Sequence, residues 1–468
     1  MQRRDKRSSA LASLWLAVIL LFFAQPGSAA ETSAATALAR AALPVGSLRD
    51  FGDPPAVENQ PLSSELRQAL DDVFLRGLQQ PWGRQQERAL KKIARSNDPR
   101  LAWIVTDFLR FMGPADIVHE LAGTLRRLLG TRLSTRDAWH EATDRLIAWD
   151  IPAPPDYLKY KRQIFISVVP EWAPLFVEGD IDWRHVSWGG VRIDDRPFAT
   201  TDAPCNCIPA ADNPQVTDAP TATWLADSAV VFGITVNGES RAYPRRIMEV
   251  REMVNDTLGG RDLGIPYCTL CGSAQAWFTD NLPGVDERPV LRTSGLLIRS
   301  NKVMYDLNTF SVFDTFRGDA VTGPLAEQHV QLTQASVVTT TWGEWKRAHP
   351  DTTVLVEALA LGRDFDFRNG RDANGPIFPI GNVDPRLAVQ EDVLGVVTDA
   401  GTPIAFHVPS LIAALDAGAH VQLDNVKVIM DARGVRAVNG AGEDLGTHQA
   451  FWFAWSQFYP GTKLWPES

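Results

Sequence analysis

Val231-Phe232-Gly233-Ile234-Thr235-Val236-Asn237-Gly238, running on to Ala242-Tyr243, decides how the chain is read. Apolar and small residues lead into Asn-Gly, and an apolar pair follows. Asn237-Gly238 suits a two-residue type I′ turn, in which both central residues need φ > 0, so the stretch predicts a β-hairpin. It has an echo downstream. Val393-Leu394-Gly395-Val396-Val397-Thr398-Asp399-Ala400-Gly401 leads to Ala405-Phe406, with one extra residue at the bend. Asp399-Ala400-Gly401 suits a three-residue loop with glycine in the left-handed position. Two related hairpins suggest an internal duplication in a β-rich region.

Working outward, alternation and paired glycines continue from residue 166 to the C-terminus, as in Ile181-Asp182-Trp183 and Trp188-Gly189-Gly190-Val191. Upstream the period changes to that of helices. Leu66, Leu70, Val73 and Phe74 follow Ser63/Ser64, a helix start; further runs hold Leu90 and Ile93, then Leu101 to Leu109, Ile117 to Leu129, and about Thr135 to Trp149. Asp98-Pro99 and Gly113-Pro114 separate three of these runs, and Pro152, Pro154 and Pro155 stop the last. The expected fold class is α+β: an N-terminal all-α helical bundle or HEAT-like domain over 61–165, then a β-rich domain over 166–468. Thr341 and Glu344 form a capping box for a short helix whose Trp342, Trp345 and His349 share a face, which reads as two indoles packed on the sheet.

Residues 1–30 read as an export signal: Arg3, Arg4, Lys6 and Arg7, an uncharged apolar stretch from Ala10 to Ala24, then Ser28-Ala29-Ala30. An uncleaved anchor is the alternative, although the stretch is shorter than a comfortable span. No later stretch is apolar enough to span a bilayer, so the expected location is periplasmic or secreted. Residues 31–60, rich in Ala, Pro and Ser, read as a flexible leader. The 468 residues carry 46 Lys+Arg against 56 Asp+Glu, a net charge of −10, which argues against a nucleic-acid surface. The 15 Trp leave room for a protein or glycan partner, through Trp-rich surfaces or the helical region.

All 4 cysteines fall between 205 and 271, as Cys205-Asn206-Cys207 and Cys268-Thr269-Leu270-Cys271. The second pair follows a strand and precedes Gly272, whose freedom to take φ > 0 suits a metal knuckle. Cys-x-x-Cys is also the form of a redox dithiol, although Ser273 to Phe278 announces no helix start. Three readings stand. The four sulfurs hold one soft metal ion, zinc or copper; they form structural disulfides, with cross-pairing easier than a Cys205–Cys207 bridge; or Cys268/Cys271 cycles between dithiol and disulfide. Polar residues that could furnish the site are Arg241, Tyr243, Arg251, Glu252, Asn255 and Asp256 before it, and Ser273, Ser294, Asn301, Tyr305 and Asp306 after it. Arg241 or Arg251 beside Cys268 would favour its thiolate. The glycine-rich stretch 362–375 reads as a solvated loop.

Ser240-Arg241-Ala242-Tyr243-Pro244, Val254 to Gly260, Tyr267-Cys268-Thr269-Leu270-Cys271-Gly272-Ser273 and Ser294-Gly295-Leu296-Leu297 resemble, in order, a bacterial and archaeal family catalogued as a domain of unknown function. Ile208 to Pro214, Asn301 to Asp306, Gly323-Pro324-Leu325 and Trp342 to Pro350 fit the same pattern, over about residues 200–360 and toward 420. The resemblance implies the place of a site, not its chemistry. Val250-Arg251-Glu252 stands where the family often has Trp-His-Glu, and Thr269 where it often has Pro, so a histidine ligand is absent from that position. The function expected is a Cys-centred site that binds a soft metal or does thiol–disulfide work. The alternative is a non-catalytic binding or scaffold module in which the cysteines are staples.

Overall fold

The structure is a computed structural model describing residues 43–113, 116–200, 205–357 and 376–467. The signal at 1–30, the first part of the leader and the loop 362–375 lie outside the described residues. The fold is α+β with a β-rich C-terminal part. Residues 43–60 carry no helix or strand, yet they are tied to the body. Gly46 N donates to Pro385 O at 3.0 Å, and Arg49 Nη1 donates to Gly381 O at 3.1 Å while its guanidinium pairs with Asp144.

Six helices run from Ser64–Phe74 to Tyr157–Val168. Ser63 caps the first, its Oγ accepting from Leu66 N at 3.2 Å. The last, Tyr157–Val168, escaped the sequence reading because the prolines at 152–155 look like an end rather than an interruption. Nor does the helices' hydrophobic core stop at 165. Phe108, Leu125 and Phe165 share one cluster with Val186, Leu296, Val303 and Tyr305 of the β-rich part. Lys161, fully buried, bridges the same seam: Nζ donates to Asp107 Oδ1 at 2.6 Å and to Val186 O at 2.7 Å.

The described strands form five sheets. An antiparallel central sheet runs Val186–Trp188, Leu291–Ile298, Asn301–Asp306, Val312–Asp314, Asp319–Ala320. A second contains Met253–Leu258 antiparallel to Arg261–Cys268, and Ser273–Ala274 folds back on the latter. A small sheet of Gln422–Leu423, Val426–Asp431 and Gly434–Val438 completes the set with the two below.

These two share one topology. In the first, Val338–Thr341, Val230–Val236, Glu239–Pro244 and Thr353–Leu355 lie side by side; in the second, His448–Phe451, Asp392–Val397, Pro403–His407 and Lys463–Trp465 do so. In each, the middle two strands are a hairpin, the first strand is antiparallel to it and the last parallel. A short helix, Trp342–Ala348 or Trp452–Phe458, joins the outer strands. Its second indole lies on the hairpin glycine. A Cβ at Gly233 would stand 2.3 Å from the Trp345 ring, and one at Gly395 2.0 Å from Trp455. Trp345 Nε1 donates to Thr352 Oγ1 and Trp455 Nε1 to Thr462 Oγ1, both at 2.9 Å. The first hairpin turns at Asn237 and Gly238, with φ of 50° and 85°. The capping box places Thr341 Oγ1 as acceptor from Glu344 N.

Candidate functional site

Strand Arg261–Cys268 ends on a tight turn, with Cys271 N donating to Cys268 O at 3.2 Å. Chain reversal needs Gly272 at φ +61°, and any Cβ there would also press within about 3 Å of the Phe451 ring. Cys268 is then opposite Ser273 across a short antiparallel ladder. The motif is therefore a hairpin knuckle, not a helix start.

Both Cys268 and Cys271 are buried and unbonded. Their Sγ atoms converge on one backbone oxygen, Ser300 O, at 3.7 and 3.4 Å. Ser300 belongs to a two-residue turn, Arg299-Ser300, in which both residues are left-handed (φ 46° and 72°), between two strands of the central sheet. Phe316, Phe451, Trp452 and Trp455 share the sulfurs' hydrophobic cluster.

Lys302, two residues beyond that turn, is buried and ion-paired with Glu252. Glu252 is left-handed (φ 50°) and closes the helix Arg245–Arg251; its O accepts from Tyr267 N at 3.0 Å, and its Oε1 from Thr269 Oγ1 at 3.2 Å. Thus the residue after Cys268 and the cation near it share one carboxylate. Electrostatics then separate the two thiols. Burial pushes Cys268 up, but the hydrogen bond from Cys271, with the charge and backbone N–H of Lys302, outweighs burial and the Glu252 charge, leaving it below the ordinary thiol value. Burial, then the neighbouring Cys268, pushes Cys271 well above it. A cavity of about 220 Å³ opens on this arrangement, lined by Cys268, Thr269, Glu249, Glu252 and Lys302 together with Ile208, Leu296 and Phe378. Cys271 does not line it.

The first cysteine pair behaves otherwise. Cys205 and Cys207 are joined by a disulfide, with Cα atoms 5.1 Å apart. This corrects the cross-pairing expectation: the short bridge forms, and Cys268 and Cys271 lie outside the cluster that Cys205 and Cys207 make with Asp194. A bend at Asn206, whose O accepts from Arg192 N at 3.0 Å, brings the two Cα atoms within bridging range. An Asp194 oxygen lies within 4.8 Å of both sulfurs, the one cluster of metal-ligating type among the described residues. Asp194 is already paired with Arg196 at 2.6 Å.

The remaining sequence candidates divide sharply. Arg241 is not beside the sulfurs; it binds Asp256 at 2.7 Å and Glu239 at 2.9 Å, and Tyr243 donates to Asp256 at 2.8 Å, locking the first tryptophan sheet to strand Met253–Leu258. Arg251 pairs with Glu357. Asn255 donates to Asp212 and Leu291 O, Ser294 to Val303 O, and Tyr305 to Asp194 O, while Asp306 accepts from Val290 N and Thr309 N. These hold the frame. Ser273 Oγ and Asn301 Oδ1 are buried without a hydrogen-bond partner. Of the named polar residues only Glu252 lines the sulfur cavity. Sequence reasoning missed Lys302 and Thr269 as site residues. Lys302 could have been found as the lone cation inside an otherwise strand-like run, Asn301 to Asp306.

Most indoles are interior: Trp103, Trp172, Trp342, Trp345, Trp452 and Trp455 are fully buried, whereas Trp224 is exposed. No helix of the described residues is long and apolar enough to cross a membrane.

One family model matches, over residues 205–462, more than half the chain; it is described as a protein of unknown function (DUF3179). The match runs beyond the expected end near 420 and takes in three of the four strands of the second tryptophan sheet, all but Lys463–Trp465. No curated protein and no solved structure matches the chain.

Proposed function

The chain belongs to that family of unknown function, whose description assigns no chemistry, and from the geometry we propose that Cys268 and Cys271 carry out thiol–disulfide exchange on a substrate entering the cavity. The observation that carries this reading is the division of labour between the sulfurs. Cys268 lines the cavity and is biased toward thiolate; Cys271 sits behind it, buried, and keeps its proton. A nucleophile and a resolving thiol need this asymmetry.

The step balances as follows. Cys268 Sγ⁻ attacks one sulfur of a disulfide R–S–S–R′, forming a mixed disulfide and expelling R′–S⁻. That thiolate takes the Cys271 proton. Cys271 Sγ⁻ then attacks Cys268 Sγ and expels R–S⁻, leaving a Cys268–Cys271 disulfide. An external dithiol returns the pair to its reduced form. We place this chemistry outside the cytoplasm on the strength of the basic and apolar segment at 1–30, a location that N-terminal sequencing of the mature protein from the native host would check.

The test is thiol titration of the folded, full chain with a disulfide reagent. The reading expects two reagent thiolates released per chain, and a mixed disulfide trapped on Cys268 in Cys271→Ser. Stoichiometric zinc or copper with both thiols protected would support metal binding instead. Unreactive thiols without metal would support the scaffold module.

A further inference from the structure

Arg110 ends the helix Ala102–Leu109, in the helical part of the chain that the family match does not cover. Its Nε donates to Trp188 O at 2.9 Å. The guanidinium carbon lies 4.5 Å from the Trp139 ring centroid, 5.2 Å from Trp188 and 5.4 Å from Phe378. Aromatic faces therefore hold the cation, and among the described residues no carboxylate lies within ion-pair distance of it. Burial alone shifts its pKa, downward, with no acidic neighbour opposing.

The cage adjoins the sulfur cavity, although Arg110 itself is not one of the cavity's lining residues. Phe378 belongs to both. A Cβ at Gly190 would lie 4.0 Å from Arg110 Nη2, and the residues on either side, Gly189 and Val191, line the cavity. A stacked guanidinium keeps its in-plane N–H groups available, and their fork matches a carboxylate. The acidic side chains that line the cavity do not compete for it: Glu252 is paired with Lys302 and Glu249 with Arg245 at 3.3 Å.

We infer that Arg110 binds the carboxylate of the substrate, so that the molecule reacting at Cys268 is a small disulfide with a largely apolar body and an acidic group. This rests on the exchange reading and names its substrate class. The helical part is then a component of the site, supplying recognition to sulfurs held by the β-rich part.

Two probes separate the ideas in the full chain: dithiobis(nitrobenzoate), a disulfide with two carboxylates, and neutral dithiodipyridine. The quantity read is the ratio of their second-order rate constants at Cys268. In Arg110→Gln the ratio falls about tenfold or more, as loss of a charge-assisted hydrogen bond requires, and Arg110→Lys recovers part of it. A ratio unchanged in Arg110→Gln, or both rates falling together, overturns the assignment. On the wild-type chain, which avoids any folding defect, benzoate should slow the neutral probe while benzamide does not; equal effects of the two also overturn it. Failure of both probes, or the same rates in Cys268→Ser, would defeat the exchange reading itself.

Discussion

The two tryptophan sheets are built alike and hand on different things. Each sets an indole on a hairpin glycine and ties the indole N–H to a threonine hydroxyl. After its hairpin, the first continues through the helix Arg245–Arg251 to Glu252, strand Met253–Leu258 and the strand that ends on Cys268. The second contributes no sulfur. Its strand His448–Phe451 instead closes over them: Phe451 N donates to Cys271 O at 2.8 Å, its ring faces Gly272, and Trp452 and Trp455 join the sulfurs' cluster. The packing solution is repeated, and the chemistry sits in what connects one copy and what the other covers.

This comparison can be broken at several strengths. The largest effect is expected from Trp345→Ala and Trp455→Ala. Each empties the same kind of hole and should cost about 3–5 kcal/mol in chemical denaturation. Only Trp455→Ala should also speed alkylation of the buried cysteines, because only that indole shares their cluster; equal acceleration in both would erase the distinction. Gly233→Ala and Gly395→Ala come next, at about 1–3 kcal/mol each, since a methyl group must displace a ring. Thr352→Val and Thr462→Val should each cost about 1 kcal/mol by leaving an indole N–H unpaired. A cost at one site and none at its counterpart would show that the sheets are alike in outline only.

The sharpest chemical effect belongs to Lys302→Met, which also strands the buried Glu252 carboxylate and so should lower stability in chemical denaturation. Cys268 sits below the ordinary thiol value, so its alkylation rate should rise with pH and level off before that value is reached. Removing the cation leaves Glu252 unbalanced, so the midpoint should move to higher pH and the rate at neutral pH should fall. A midpoint that stays put would remove Lys302 from the account.

Part of this was legible in the residues. Asn237-Gly238 named its turn, Ser63 its helix cap and Gly272 its left-handed knuckle, because each rests on local backbone sterics. The hairpin echo was visible, but its stronger partner went unread: Trp342, Trp345, His349, Pro350 and Thr352 recur at the same spacing as Trp452, Trp455, Tyr459, Pro460 and Thr462. The residues near in sequence offer Arg241 or Arg251 as a cation for the sulfurs, and neither serves. Arg241 and Arg251 are consumed by Asp256 and Glu357, whereas Lys302 arrives across a sheet turn. Long-range pairing of this kind leaves no periodic trace. The preference for cross-linking the two cysteine pairs failed for a local reason, the bend at Asn206.

Mass spectrometry of folded Cys271→Ser after brief exposure to dithiodipyridine tests the central claim most directly. The account predicts one thiopyridyl adduct per chain, on Cys268, formed faster as pH rises toward neutrality. A chain that takes up no adduct until it is unfolded would contradict it.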